Sequence, residues 1–183
     1  MDKRLEQRFA QLYQSIAQQT VNMIFEEWDR VYLLGQVEKS PEYPMDAAPN
    51  PMLRTTFYYI DSKTKKSVRY TVVDEYMQEK EARDGIRKLS FTIYDLNKIF
   101  RKESGGDWGK VWDAMTFTME KDGKFTIDYQ YDSWETHRPI SDKYTLDKET
   151  LWAYDTCGFK HKEGSIYRKR LDEYLRNERG EDV

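Results

Sequence analysis

A chain of 183 residues is long enough to form one core-bearing domain and short for two. Its 33 acidic and 30 basic side chains leave a formal net charge of −3, which argues against a nucleic-acid binder with the broad basic face such proteins carry. The N-terminal MDKRLEQRFAQLYQ lacks the apolar stretch of a secretory signal, no run approaches the roughly 18 apolar residues of a membrane span, and Cys157, the single cysteine, forms no intrachain disulfide; a cytoplasmic protein with no membrane partner is expected.

Residues 2–27 carry Leu5, Phe9, Leu12, Ile16 and Met23 near one helical face, with Tyr13, Ala17 and Ile24 beside them, and neither Pro nor Gly interrupts the run. A strand is predicted over residues 30–37. The segment 38–52 holds Pro41, Pro44, Pro49 and Pro51, which remove donors and stop regular structure. Strands follow at 54–61 and 67–74, joined by the charged loop 61–66. Residues 75–87 are dense in charge and fit a short helical turn or a loop. Ile93, Leu96, Ile99 and Phe100 then mark a helix over 91–102, ended by Gly105-Gly106. Trp108 and Trp112 share a face if their segment is helical.

The clearest pattern lies at 111–135. Met115, Phe117 and Met119 alternate with polar residues, as do Phe125, Ile127, Tyr129 and Tyr131, so two strands each have one apolar face. Asp122-Gly123 is the turn between them. A two-residue loop would place Met119 opposite Thr126 and mix the faces. The three-residue loop Lys121-Asp122-Gly123 pairs Glu120 with Lys124, Met119 with Phe125, Phe117 with Ile127 and Met115 with Tyr129. This register is predicted, with Gly123 in the left-handed region as a bulge residue. Helices over 148–154 and 165–176 close the chain, the latter with Tyr167, Leu171, Tyr174 and Leu175 inward, and residues 177–183 are expected to fray.

The fold class is therefore α+β: a single domain over 1–183 with an antiparallel sheet of about five strands and helices on one face, in the order α-β-β-β-α-β-β-α. Little in the chain points to catalysis. His137 and His161 follow no metal-ligand spacing and are expected at the surface, so no metal or other cofactor is expected. Cys157 reads as a small core residue. Gly105-Gly106-Asp107-Trp108-Gly109-Lys110 is followed by Val111 and lacks the spacing of a phosphate loop. Asp128 and Asp132 stand roughly 13 Å apart by strand rise, too far for paired-carboxylate hydrolysis. From Asp113 to Glu135, six acids stand against two bases. Glu120, Asp128 and Asp132 share the polar face, Asp122 sits at the tip and Glu135 lies just beyond. This row fits either a solvated surface or a face that meets a basic protein partner. Lys160, Lys162, Arg168, Lys169 and Arg170 form a second, diffuse basic cluster that fits phosphate, RNA or simple charge balance. An acid–base enzyme using His137 and a binding module using that basic segment are the alternatives to protein recognition.

Five blocks in order carry a resemblance: LYQSIAQQTVNMIFEEWDRVYL at 12–33, TTFYYID at 55–61, YDLNKIFRK at 94–102, WDAMTFTMEKDGKFTIDYQYD at 112–132 and LWAYDTCG at 151–158. Together the chain resembles the YezG-like family of bacterial immunity proteins. The resemblance implies an α+β fold, no enzymatic activity, and an antitoxin that binds a cognate LXG-type polymorphic toxin, commonly one with a nuclease domain, in the cell that makes it. No catalytic motif transfers with it. Asp128 and Asp132 fall on the family's recurrent aromatic–acid strand. The expected partner-binding residues are Glu120, Asp122, Asp128, Tyr131, Asp132, Trp134 and Glu135, with Tyr58 as a further aromatic anchor if exposed. The Pro-rich segment 38–52 and the charged stretch 78–88 depart from the family pattern.

Overall fold

The computed structural model describes residues 3–37, 53–70, 79–132, 134, 139–141 and 143–182. The Pro-rich segment, His137, Glu135 and the end of the third predicted strand lie outside these residues.

The fold is built on β1 (Trp28–Val37), in which seven consecutive residues from Val31 to Val37 are buried. A buried run of this kind, apolar except for Gln36, is what a strand covered on both faces requires. β2 (Leu53–Asp61) pairs antiparallel with β1, and β3 (Ser67–Arg69) with β2. On the other side of β1 lies β4 (Ala114–Glu120), then β5 (Phe125–Gln130), giving the antiparallel order β3-β2-β1-β4-β5. The α+β class, the five strands and the predicted order of elements all hold. The hairpin register also holds: Met119 faces Phe125, Phe117 faces Ile127 and Met115 faces Tyr129. The Glu120 amide donates to the Lys124 carbonyl at 2.8 Å, the Gly123 amide to the Glu120 carbonyl at 2.9 Å, and Gly123 has φ +86°. A side chain at that φ would be strained, so the glycine fixes the loop at three residues and keeps every apolar side chain on one face.

α1 (Lys3–Val21) and α2 (Glu79–Glu103) cover that face. Ile16, Leu89, Ile93 and Leu96 pack there on Val31, Leu33, Phe57, Met115 and Phe117. α1 ends six residues short of its expected limit, where the chain turns to seat Met23 in the core before entering β1. α2 begins well before its expected start and takes in residues 79–87 of the charged stretch left open as turn or loop. Ala82, Leu89 and Ile93 supply its buried face, and that packing outweighs the low helix propensity of Gly85. The glycine has a use there: a Cβ at position 85 would lie 2.8 Å from the Met23 sulfur. Trp108 and Trp112 do not share a helical face. Trp108 starts a single 3-10 turn beneath the Arg101 guanidinium, whereas Trp112 is fully buried in the core.

α3 (Lys148–Cys157) and α4 (Ile166–Tyr174) follow, each opened by a side-chain cap, from Asp147 and Ser165 respectively. Helices were expected on one face only. α3 instead adds a partial third layer on the opposite face, where Trp152 and Ala153 meet Tyr32, Leu34, Tyr58 and Ala114. The Trp152 indole N–H donates to Thr116 Oγ1 at 3.0 Å, which fixes the helix on the sheet. α4 packs on α3 through Leu171 and Leu175. Tyr167, expected inward, is exposed, because it stacks on His161 instead. Past α4, where fraying is expected from sequence, a wider turn over Leu175–Arg179 is tied down: Arg179 pairs with Asp155, Glu178 with Lys143, and Glu181 accepts from Tyr154.

The two-faced core leaves no room at Gly35. A Cβ there would lie 3.0 Å from two carbons of Ile93 and 3.4 Å from Met115. Gly35→Val should therefore lower unfolding stability by about 1–3 kcal/mol through overpacking, measured as a lower urea midpoint at unchanged slope.

Candidate partner-binding surface

The acids of the β4–β5 hairpin divide into those that serve the fold and those that do not. Asp113 is buried, and its carboxylate accepts the Trp134 backbone amide at 2.5 Å. Glu120 ends β4 directly across from Arg30 on β1, and the two form an ion pair at 2.6 Å. Asp122 pairs with Lys124 at the tip at 2.6 Å, and that hydrogen bond holds its carboxyl below the usual carboxylate range. Asp128, in the middle of β5, and Asp132, just past it, are exposed, and among the described residues no ion pair reaches either one.

The aromatic candidates divide the same way. Tyr131 is exposed beside Asp132. Tyr58 is not an anchor: it is buried between the sheet and α3, in ring contact with Trp152 and Phe159. Trp134 is half-buried and acts as a staple, because its carbonyl accepts from Gln36, its amide donates to Asp113, and the Lys148 ammonium lies over its ring at 5.6 Å. Both placements have one cause. The sequence pattern gave no sign that α3 would cover the second face of the sheet, and α3 is what removes these rings from solvent. Glu135 lies outside the described residues. Asp128 and Asp132 therefore remain exposed on the polar side of β5, and Tyr131 and Phe125 on its other side, along the free edge of the sheet.

Other chemistry is weakly supported among the described residues. No group of three His, Cys, Asp or Glu side chains comes together to hold a metal, and no helix is long and apolar enough to cross a membrane. Cys157 is part of the core beneath α3, as expected; its thiol donates to the Ala153 carbonyl at 3.0 Å, and burial pushes its pKa up. His161 is half-buried rather than freely solvated: it packs between Phe159 and Tyr167, and burial, followed by the nearby Arg69 charge, pushes its pKa down. In the basic C-terminal segment, Arg168 is held by Asp172 at 2.8 and 2.9 Å, and Lys160 sits over the Tyr154 ring. The cations gather elsewhere. Arg4, Arg8, Lys102 and Lys110, with Glu103 among them, line a cavity of about 620 Å³ together with Phe9 and Phe100. Sequence reasoning missed it because three separate elements contribute; the only local signal is the i, i+4 spacing of Arg4 and Arg8.

The sequence profile of the family described as "Immunity protein YezG-like" matches residues 9–171. A protein named Immunity protein YezG from Bacillus spizizenii is 23% identical over 177 residues, covering 94% of this chain and 96% of that relative. A second protein of that name, from Bacillus subtilis strain 168, is 22% identical over 147 residues, covering 80% of this chain and 86% of its own length.

The half-buried position of Cys157, which pushes its pKa up, has a measurable consequence. At neutral pH the folded protein should react with a thiol reagent at least about tenfold more slowly than the urea-unfolded chain. Equal rates in the two states would show the thiol to be open and ionised.

Proposed function

The chain belongs to the YezG-like family of immunity proteins, and on that premise we propose that it is a non-enzymatic antitoxin that binds a cognate protein toxin and blocks its active site or substrate groove. Binding alone suffices for this task, so the chain needs no catalytic constellation. The observation that carries the proposed contact surface is the state of the hairpin acids. Asp113, Glu120 and Asp122 each have an internal partner, whereas Asp128 and Asp132 present carboxylates to solvent. Uncompensated charge of one sign on a rigid strand suits a partner of the opposite sign, both in speeding encounter and in fixing register. A nuclease domain of an LXG-type toxin is the partner class this favours, because a groove that binds polyanionic nucleic acid is lined with cations. Tyr131, rigid and exposed beside Asp132, supplies the aromatic contact that such interfaces favour.

Co-expression with the toxin domain encoded beside this chain should rescue growth and yield a complex that co-purifies. Replacing Asp128 and Asp132 together by Lys should weaken that complex by at least about tenfold, or ~1.4 kcal/mol, and slow association most at low salt. Since both side chains are exposed and unpaired among the described residues, thermal stability should change little. Rescue and affinity unchanged in the double variant would remove the acidic surface from the interface, while loss of rescue in the unaltered chain would remove the antitoxin reading itself.

A further inference from the structure

We infer that the outer edge of β5 receives an extended segment of the toxin as an added strand, one whose side chains alternate apolar and basic. This rests on the antitoxin reading above and specifies how the contact is made.

The sheet ends at β5, and among the described residues no strand pairs with its outer side. The orientation of its main-chain groups follows from the register. The Glu120 amide donates to the Lys124 carbonyl, so residue 124 points its backbone toward β4, and in an antiparallel ladder every second residue does the same. Thr126, Asp128 and Gln130 thus bond inward, while the N–H and C=O groups of Phe125, Ile127 and Tyr129 point out. This is a ready template for strand addition.

The opposite edge of the sheet is not comparable. β3 spans three residues, and its Arg69 is tied to Glu149 at 2.7 Å. β5 spans six residues, FTIDYQ, without Pro or Lys, and is rich in aromatic and β-branched side chains. Left without a safeguard, such an edge would pair with another copy of itself. The acids supply the safeguard. A two-fold pairing of β5 with β5 centred on residue 128 runs the strands antiparallel and sets the Asp128 carboxylate against its own copy, which is unfavourable for like charges. A segment of opposite charge meets no such penalty at this edge.

The two sides of β5 define what that segment looks like. On the side of α1, Phe125 (38% exposed) and Tyr131 (43% exposed) flank the half-buried Ile127 and Tyr129, and the Tyr13 ring stands 6.1 Å from Phe125. An added strand would lay apolar side chains against this row. On the other side, Thr126 and Asp128 are exposed and uncovered by α3, and Asp132 follows, so the alternate side chains would meet carboxylates. Period-two alternation of apolar and Lys or Arg residues satisfies both sides at once.

The experiment is residue-resolved hydrogen exchange on this chain, free and bound to a catalytically inactive form of the toxin domain encoded beside it. Strand addition should slow exchange of the Phe125, Ile127 and Tyr129 amides by about tenfold or more in the complex, while Thr126 and Asp128, already bonded to β4, change little. Ile127→Pro removes one outward donor without touching a bond to β4, and should weaken the complex by about tenfold while circular dichroism still reports a folded chain. A stable complex in which the three outward amides exchange as in the free chain overturns the strand-addition inference and leaves the antitoxin reading intact. A homodimer whose formation protects those amides overturns the argument from like charges and the inference with it. Failure of the toxin domain to bind at all overturns both.

Discussion

The burial of β1 on both faces is the constraint from which the rest of the molecule follows. Seven consecutive buried residues cannot be satisfied by one layer of helices, so the chain supplies covers from both ends of its sequence. α1 and α2 close one side with Ile16, Leu89, Ile93 and Leu96, and α3 closes the other with Trp152 and Ala153. Several polar groups caught in this interior are paired, although the buried Trp112 indole N–H meets no hydrogen-bond acceptor among the described residues. Asn97 donates to the Trp112 carbonyl at 2.9 Å, and Trp152 donates to Thr116 at 3.0 Å. A buried donor left without a partner would cost more than these bonds contribute, so such pairs orient the layers as much as they stabilise them.

The same arrangement determines where the protein can meet another molecule. The centre of the sheet is sealed, and what remains open lies at its margins. At β5, α3 no longer reaches the polar side, and Asp128 is left in solvent. On the helical side, the first turns of α1 and the last turns of α2 meet in a cavity ringed with cations. The exposed acids of β5 and the cations lining this cavity thus lie on different parts of the surface, and charge so placed steers approach as well as contact.

The hairpin was fully legible in the sequence because two independent signals agreed. Period-two alternation fixed the faces, and Asp-Gly with the required register fixed the loop. The first half of α2 was not legible, since Gly85 and a dense run of charges obscured an apolar stripe that only α1 and β1 make worthwhile. The partial third layer was hidden for a related reason. α3 is short, and the residues it covers, Tyr32, Leu34 and Tyr58, look like the ordinary second face of a half-solvated strand. That hidden layer also accounts for where the candidate aromatic residues lie: Tyr58 is buried and Trp134 half-buried beneath it, while Asp128, Tyr131 and Asp132 stay at the surface. Residues far apart in sequence, such as Arg4 and Lys110, gave no joint signal at all.

Consider β5 as a piece of heritable text. Positions 125, 127 and 129 anchor the strand to the core, and positions 126 and 128, one step away in the same strand, touch nothing that the core requires. Substitutions can therefore accumulate on one parity while the other is held by purifying selection. Changes of length have no such freedom, because losing one residue from the loop around Gly123 would exchange the two parities and turn the core outward. A lineage under pressure to track a changing partner can rewrite this surface letter by letter, provided it never shifts the reading frame of the hairpin.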